Sequence, residues 1–382
     1  MIHFTRDELA ARRARACAAM AERGLDGLLC FRQESMYYLT GYDTFGYVFF
    51  QCLYLGADGR MSLLTRAPDL RQARHTSVID DIRIWADREG ANPAEELRAI
   101  LDAHGCRGKR LGVEWESYGL TAANGRALET ALAGFCALED ASRLVSELRL
   151  VKSIAEIAFV RRAAELADES WAEAVRLAQP GAFEGDILAA MQAAVFRGGG
   201  DDPANETIIG SGRDALLCRY FSGRRHLSAE DQLTLEFAGV YRHNHACLMR
   251  TICIGPPPPE QRTMFEVARE ALLACEAALR PGVPMANVFD AHARVIDAHG
   301  MSEHRLNACG YALGTTFAPN WMDWPMFYAG NPVIMRPGMV FFLHMIVFDS
   351  ARGLAMTLGR TSLVTERGAE PLSKAPLDLV VH

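Results

Sequence analysis

A glutamate stands in an apolar stretch, "LTLEFAGVYRHNHACLMRTICIG" (233–255), whose pattern predicts two strands joined by a turn. Burying a carboxylate costs free energy unless it is paired or protonated, so we interpret Glu236 as a general base or a nucleophile. The structural alternative is a salt bridge to Arg219 or Arg250. Cys247 follows eleven residues later. It could be a nucleophile, but no base partner is visible, and the pattern favours a buried, inert thiol.

Three histidines occur where acid and base chemistry could use them. His344 lies in the apolar strand pattern "FFLHMIVF", and His243 and His245 alternate with Tyr241 near the predicted turn. A period of two places these last three side chains on one face, but it does not decide whether His243 or His245 reaches Glu236. We predict that His344 and His245 transfer protons together with Glu236, and that Tyr241 contacts the substrate.

Two arginines and an aromatic phrase are candidates for binding the substrate. An arginine does not deprotonate in proteins and cannot be a general base, so Arg219 or Arg360, which the family resemblance described below places near the site, is expected to hold an acidic group. The phrase "TFAPNWMDWP" (316–325) is interpreted as a loop because of its prolines. Trp321 or Asp323 in this loop is predicted to touch the substrate.

The composition excludes several classes of partner. The chain has 382 residues, a formal net charge of −7 and 23% charged residues, without the basic stripe that nucleic acid or an anionic membrane requires. Its ten cysteines form no CxxC pair, which argues against zinc knuckles and a disulfide framework. No signal peptide or membrane-spanning run is evident, so we expect a cytoplasmic protein with a small-molecule substrate.

Two domains are expected to position these residues. Alternating helix and strand patterns over residues 1–148 predict an α/β domain, with strands in "GLLCF", "YVFFQCLYL", "MSLLT" and "RLGVEWE". Residues 149–382 combine helices with antiparallel strand pairs, which predicts an α+β domain. The long helical segment that ends at Pro180 contains the boundary.

Several phrases together resemble the creatinase/prolidase family, whose catalytic domain has the pita-bread fold. "LRLVKSIAEIAFVRRAAELAD" (148–168) resembles the segment that joins the two domains of that family. The stretch 233–255 resembles its paired strands, "RPGMVFFLHM" (336–345) its next strand and "LGRTSLVTERGAEPL" (358–372) its last. The resemblance implies a creatinase-type N-terminal domain followed by a pita-bread catalytic domain.

The same resemblance bears on cofactors. Metallopeptidases of the family hold two divalent cations with two aspartates, a histidine and two glutamates. The matching positions here carry Glu236, Cys247, Tyr311, His344 and Gly359. Three carboxylate ligands are missing, and two co-catalytic metals require an oxygen-rich, negatively charged first shell. We therefore expect no cofactor; a single metal on Glu236, Cys247 and His344 is the alternative.

The substitutions are similar to the metal-independent branch that contains creatinase and ectoine hydrolase. In the matching phrase of ectoine hydrolase a Gly-Tyr replaces Gly-His; "GYALG" (310–314) is similar to it, and Tyr311 is expected to contact the substrate. The resemblance implies a hydrolase that opens a C–N bond of a small nitrogenous, cationic solute: an amidine, a guanidino compound or a betaine. The alternatives are a metal-dependent Xaa-Pro aminopeptidase or dipeptidase and a non-enzymatic binding protein.

A homodimer is also implied. In the creatinase branch a loop of the neighbouring N-terminal domain reaches the substrate, and "YDTFGYVFF" (42–50) is the matching stretch. Phe45 falls where creatinase has a substrate-contacting phenylalanine, and Tyr47 replaces an arginine that grips the substrate carboxylate. Phe45 and Tyr47 are thus expected to cover the partner's site, the alternative being that both rings pack in the core.

Overall fold

The structure is a computed structural model and describes residues 2–220 and 223–382. The chain folds into two compact units, one ending at Arg149 and the other running from Leu150 to His382. None of the helices in the described ranges is long and apolar enough to cross a membrane.

The helices are distributed over both units. Within the described residues they are α1 (Arg6–Glu22), α2 (Gln33–Thr40), α3 (Leu70–Thr76), α4 (Pro93–Ala103), α5 (Ala122–Leu132), α6 (Leu144–Leu150), α7 (Ile154–Leu177), α8 (Glu184–Arg197), α9 (Pro259–Ala278) and α10 (Ala286–Ala298). The longest, α7, starts at a capping box in which Ser153 and Glu156 bond to each other's backbone N–H groups.

Among the described residues, the strands form one sheet in each unit. Those of the first unit are β1 (Gly27–Cys30), β2 (Cys52–Gly56), β3 (Met61–Arg66), β4 (Ile82–Trp85), β5 (Arg110–Val113) and β6 (Ala137–Asp140). Those of the second are β7 (Ile208–Ser211), β8 (Asp231–Tyr241), β9 (Asn244–Ile254), β10 (Gly310–Ala312), β11 (Asp323–Met326), β12 (Val340–Asp349), β13 (Leu354–Thr365), β14 (Gly368–Pro371) and β15 (Val380–Val381).

The first unit is an α/β domain, as predicted. Its sheet has the order β4-β3-β2-β1-β5-β6, with parallel pairs β3/β4, β1/β5 and β5/β6 and antiparallel pairs β1/β2 and β2/β3. The strand expected over "YVFFQCLYL" is shorter than predicted. Gly46–Val48 forms a 3-10 turn instead, and Val48 and Phe49 are exposed, so this apolar run does not enter the sheet before Cys52.

The second unit is the α+β domain. Its main sheet has the order β11-β10-β12-β13-β9-β8-β7, with β14 paired to β13 and β15 to β9. Helices α9 and α10 contribute Leu272 and Phe289 to a core shared with β12 and β13. Helix α7 contributes Trp171 to a second core with β8 and β9. Apolar faces of helices and sheet thus bury each other.

The register of this sheet brings distant parts of the chain into one row. Glu236 of β8 lies opposite Met249 of β9, Met249 lies opposite Gly359 of β13, and Gly359 lies opposite His344 of β12. Tyr311 of β10 pairs with β12 at Phe342. Side chains alternate between the two faces of a strand, so this register decides which polar groups can share one cavity.

Candidate active site

A cavity of about 170 Å³ opens on the sheet of the second unit. Its polar lining consists of Glu236, His344, Tyr311, Arg219 and Asn205. The rest is mostly apolar or sulfur-bearing: Ile208, Cys218, Leu306, Ala308, Trp321, Met322, Met326 and Ile346. Glu236, Tyr311 and His344 come from three different strands, so the cavity is built by the fold rather than by one local segment.

Glu236 is the acidic group of this cavity. Its side chain is 8% exposed, and the Tyr311 hydroxyl donates a hydrogen bond of 3.0 Å to its Oε1 atom. Burial raises the pKa of Glu236 to about 7, against the opposing effects of the Tyr311 hydrogen bond and the positive charge of Arg219. A carboxyl group with this pKa exchanges protons readily near neutral pH, as a general base requires.

Tyr311 is itself held by the indole of Trp321. The Trp321 Nε1–H group donates to the Tyr311 oxygen at 2.8 Å, and both side chains are 2% exposed. Burial, followed by the neighbouring charge of Glu236, raises the pKa of Tyr311 well above its usual range. Tyr311 therefore remains protonated at neutral pH and serves as a hydrogen-bond donor.

His344 faces the same cavity from β12. Its ring packs against the rings of Tyr311 and Phe342, with centroids 5.6 and 5.5 Å away. Burial lowers the pKa of His344 to about 3, and the positive charges of His292 and Arg219 contribute to this lowering. The imidazole is therefore neutral at pH 7. Its buried Nδ1 atom has no hydrogen-bond partner among the described residues.

Arg219 contributes the cationic group. Its side chain is exposed, and Nη2 lies 3.6 Å from the sulfur of Met322, a weak acceptor. Cys218, its neighbour in sequence, also lines the cavity, and burial raises the pKa of this thiol. The guanidinium can thus offer its stronger hydrogen bonds to an acidic group that enters the cavity.

The structure does not bring His245 to this cavity. Its Nε2 atom accepts a hydrogen bond from the backbone N–H of Ala204 at 2.9 Å, and its Nδ1 atom lies 2.9 Å from the carbonyl oxygen of His243. Burial lowers the pKa of His245 to about 4. A neutral ring with both nitrogens engaged in backbone contacts has no free atom for proton transfer, so we do not retain His245 as a catalytic residue.

Tyr241 and His243 also lie outside the residues that line the cavity. Tyr241 ends β8 and packs its ring on Phe159 at 5.7 Å. His243 belongs to the two-residue turn between β8 and β9, where it has a φ of 61° and stacks on Phe317 at 4.3 Å. β8 ends at Tyr241 and β9 begins at Asn244, so the period of two that linked Tyr241, His243 and His245 does not continue through the turn.

Arg360 lies outside the residues that line the cavity and forms an ion pair with Glu276. Its Nε and Nη2 atoms bind both carboxylate oxygens of Glu276 on α9, each at 2.7 Å, in a largely buried ion pair. The expected role of Arg360 in binding an acidic group of the substrate is therefore withdrawn, because the guanidinium already has a bidentate partner. Asp323 is buried and its Oδ1 atom accepts the N–H of Trp324; it too lies outside the cavity lining.

Phe45 and Tyr47 belong to the first unit, where their surroundings differ. The Phe45 side chain is 79% exposed, whereas that of Tyr47 is 7% exposed. Burial raises the pKa of Tyr47 to about 12. Within its own unit, Phe45 is therefore available for contact and Tyr47 is packed inside.

Several lining residues were not identified in the sequence. Asn205 lies in the loop before β7 and accepts the backbone N–H of Trp321 at 3.0 Å. Met322 and Met326 supply sulfur atoms to the wall. Asn205 carries no sequence signal beyond its position shortly after a proline. The methionines could have been suspected from the neighbouring Trp321, because residues 316–325 are interpreted from the sequence as a loop near the substrate.

The donor atoms at the family's metal positions do not fit a two-metal centre. Among the described residues, no group of three or more His, Cys, Asp or Glu side chains could hold a metal ion. The Tyr311 hydroxyl already accepts a hydrogen bond from Trp321 and donates one to Glu236, so it is not available as a metal ligand. Burial raises the pKa of the Cys247 thiol well above its usual range, which disfavours the thiolate that a metal would need.

The Gly359 position is also sterically closed to a ligand. A Cβ atom added there would lie 2.7 Å from the carbonyl oxygen of Leu343 and 3.0 Å from the ring of Phe342. A carboxylate side chain at this position would require the neighbouring strand to move. The local backbone is thus adapted to glycine, and the site offers Glu236 as its one carboxylate among the lining residues.

Comparison with known proteins gives both full-length and partial matches. Ectoine hydrolase from Halomonas elongata is 28% identical over 400 residues, which cover 99% of this chain and 98% of that protein. The Xaa-Pro dipeptidase of Pyrococcus furiosus is 24% identical over 237 residues, covering 62% of this chain and 67% of that protein. The crystal structure of dipeptidase PepE from Mycobacterium ulcerans has a TM-score of 0.86 at 26% identity and covers 99% of both chains.

The matches to protein families cover both units. Residues 12–151 match the creatinase/prolidase N-terminal domain, and residues 158–366 match metallopeptidase family M24. The resemblance drawn from the sequence and the expected fold class are thereby confirmed. The relatives are named for hydrolytic activities. The chain is a member of metallopeptidase family M24 with a creatinase/prolidase N-terminal domain.

Proposed function

We propose that the protein is a hydrolase that opens a C–N bond of a small nitrogenous, cationic solute without a metal ion. The observation that carries the proposal is the buried Glu236 carboxyl, which lines a cavity of about 170 Å³, accepts a hydrogen bond from Tyr311 and has a pKa raised to about 7. The full-length similarity to ectoine hydrolase supports the same class of chemistry.

Glu236 would supply the base for hydrolysis. In its ionised form it takes a proton from water, and the resulting hydroxide forms a C–O bond to the carbon of an amidine, guanidine or amide group. The C–N bond then breaks, and the protonated Glu236 returns its proton to the departing nitrogen, so that one water is consumed. Direct attack by the carboxylate on the same carbon, with later hydrolysis of the ester, is the alternative sequence.

His344 would bind the substrate rather than carry the proton. A proton shuttle must pass through an imidazolium ion, and a pKa of about 3 makes that ion unfavourable. The neutral ring can still donate one hydrogen bond and accept another. We propose that it orients the reacting nitrogen, while Arg219 holds an acidic group of the substrate at the cavity.

The lining supports a compact cationic substrate. Trp321 and Tyr311 present aromatic rings, and Glu236 supplies the opposite charge. Aromatic faces attract delocalised and quaternary cations, and a carboxylate at the same place strengthens that attraction. The volume of about 170 Å³ accommodates a small solute rather than a long peptide.

A metal-dependent Xaa-Pro dipeptidase is the second candidate. The similarity to the Xaa-Pro dipeptidase of Pyrococcus furiosus supports it, whereas the donor set at the site does not. A third possibility is a binding protein without catalysis. Metal analysis of undialysed protein, combined with a screen of betaines, cyclic amidines, guanidino acids and Xaa-Pro dipeptides, separates the three. About two metal equivalents per chain with Xaa-Pro cleavage would replace the present proposal, and binding without turnover would favour the third.

We also propose that the active unit is a homodimer in the cytoplasm, in which Phe45 of one chain covers the site of the other. The exposed ring of Phe45 and its apolar neighbours Val48 and Phe49, which are 60% and 47% exposed, support this proposal. Exposed apolar groups that lie together often mark an interface. Tyr47, which is buried in its own unit, is not proposed to contact the substrate.

A further inference from the structure

Three side chains in the cavity form a directed chain of hydrogen bonds. The Trp321 indole N–H donates to the Tyr311 oxygen at 2.8 Å, and the Tyr311 hydroxyl lies 3.0 Å from Oε1 of Glu236. All three side chains are at least nine-tenths buried. An indole N–H can only donate, so the Tyr311 oxygen must accept at that contact. Its own proton is then free to point to Glu236.

This direction distinguishes the two oxygens of the carboxyl group. Oε1 receives the Tyr311 proton, so a proton bound to Glu236 at Oε1 would face another donor. Within the part of the chain that the structure describes, the hydrogen bond of the Glu236 carboxyl is the one to Oε1. The proton of the neutral acid therefore belongs on Oε2, and the same oxygen is the one left for water or substrate.

The position of Trp321 is fixed from both sides of its backbone. Its N–H donates to Asn205 Oδ1 at 3.0 Å, and its carbonyl oxygen accepts from Thr316 Oγ1 at 3.4 Å. Thr316 in turn lies 3.1 Å from Nδ1 of His245. His245, which lies outside the cavity lining, thus contacts Trp321 through Thr316. Polar networks of this kind hold a side chain in one orientation.

We propose that Trp321 is a positioning residue that fixes the Tyr311 hydroxyl toward Oε1 of Glu236 and thereby leaves Oε2 as the oxygen that meets water or substrate. The use of this oxygen in hydrolysis rests on the proposed function. The hydrogen-bond direction itself does not, and it can be measured without any substrate.

The test is a double-mutant cycle read by the titration of Glu236. Glutamate carboxyl carbons are labelled with ¹³C, and the Glu236 signal is identified by its loss in Glu236→Gln. Tyr311→Phe should raise the titration midpoint by about one pH unit, because it removes a hydrogen bond to the ionised form. Trp321→Phe should raise it by about half as much, because the freed Tyr311 oxygen can then accept the proton of the neutral acid.

The double variant Trp321→Phe/Tyr311→Phe should titrate like Tyr311→Phe alone, since Trp321 acts only through the hydroxyl. Trp324→Phe, the matched loss of another indole from the same segment, should leave the midpoint unchanged. If Trp321→Phe does not fold, benzothienylalanine at position 321 keeps the ring and removes only the donor. An unchanged midpoint in the Trp321 variants, or additive shifts in the double variant, would overturn the proposal.

The titration experiment separates the positioning role of Trp321 from the proposed hydrolytic activity, because each can be refuted without the other. If the double variant titrates like Tyr311→Phe alone but no hydrolysis is found, the positioning role of Trp321 is supported and the proposed activity is refuted. If the enzyme is active but the two substitutions shift the Glu236 midpoint additively, only the positioning role is refuted. With a substrate identified, the pH profile of kcat should move with the titration midpoint in Trp321→Phe, whereas a merely structural loss would lower kcat at all pH values alike.

Discussion

His344 of β12 lies directly opposite Gly359 of β13 in the antiparallel ladder. Both residues stand at positions that carry glutamate ligands in the metallopeptidases that the chain resembles. The histidine is neutral because burial lowers its pKa to about 3, and the glycine has no room for a side chain. Compared with a metallopeptidase that has glutamates at both positions, this site therefore lacks two negative charges.

Chelation is expected to leave the activity intact. EDTA or phenanthroline should not lower the rate, because the described lining residues include one carboxylate, Glu236, where two divalent ions need several oxygen ligands. The measurement is turnover before and after chelation, with the metal content of the same samples. Loss of activity that one particular metal restores would contradict this prediction.

The rate should depend on pH through Glu236. Since the ionised form is the base, kcat/KM should rise about tenfold per pH unit below 7 and level off above it, following the pKa of about 7. Arg219→Gln should move this rise to higher pH, because the positive charge of Arg219 lowers the pKa of Glu236. Arg213→Gln, which removes an exposed arginine just after β7, is the control. A profile unmoved by Arg219→Gln would contradict the assignment.

The buried carboxyl should also make stability depend on pH. The folded pKa of about 7 exceeds the ordinary value of 4.5, so the folded state binds more protons than the unfolded state between these values. The contribution of this group to stability is therefore fully present below about pH 4.5 and is lost as the pH rises to about 7. Replacing Glu236 by Gln should increase the free energy of unfolding at pH 8 by up to about 3 kcal/mol.

Urea unfolding at pH 5 and pH 8 measures this effect. The advantage of Glu236→Gln should be small at pH 5 and largest at pH 8, because only the ionised carboxylate is costly to bury. Glu366→Gln, a change at an exposed glutamate after β13, should show no such pH dependence. An equal effect of Glu236→Gln at both pH values would mean that its carboxyl is not buried as described.

Arg360 is expected to matter for stability. Breaking its bidentate pair with Glu276 leaves a buried charge, so Arg360→Met should lower the free energy of unfolding by about 3 to 5 kcal/mol. Arg360→Met/Glu276→Leu should lose much less, because neither charge remains. The KM of surviving Arg360→Met protein should be unchanged. A raised KM with wild-type stability would restore the sequence-based prediction that Arg360 binds substrate.

Phe45 provides the test of a shared site. If its exposed ring covers the partner's cavity, Phe45→Ala should raise KM although Phe45 lies in the other unit of the chain. Inactive Glu236→Gln chains mixed with Phe45→Ala chains should regain wild-type-like sites in which each chain supplies one intact half. Tyr118→Ala, at another exposed aromatic residue of the first unit, is the control. An active monomer, or no complementation after proven subunit exchange, would remove the shared site.

The fold class was predictable because the helical and strand periodicities of the chain are long and consistent. The paired strands around Glu236 were predicted from one stretch and are present as β8 and β9. Short strands such as β4 and β6 contain only four residues each. The equally short β1 and β5 were predicted because they are mostly buried and apolar, whereas β4 and β6 are mostly half-buried or exposed, carry no continuous apolar run and were not predicted.

The site was only partly predictable. A glutamate in an apolar strand is costly to bury, and that cost predicted Glu236 as a candidate, which the structure places in the lining of the cavity. The partner of Arg360 could not be found in this way, because Glu276 lies on a helix 84 positions away. The surroundings of His245 could not be predicted for the same reason: its Nε2 atom accepts from the backbone N–H of Ala204, a contact that no side-chain pattern reveals.

The proposal that the carboxyl group of Glu236 performs the hydrolysis is tested by comparing wild-type and Glu236→Gln protein. Chelator-treated wild-type and Glu236→Gln proteins are compared for turnover of the solute that the ligand screen identifies, after thermal unfolding shows that both are folded. We expect the metal-free wild type to be active and Glu236→Gln to lose a factor of about 10² to 10⁴ in kcat, because the general base is removed. A folded Glu236→Gln protein that retains more than about a tenth of the wild-type rate would contradict it.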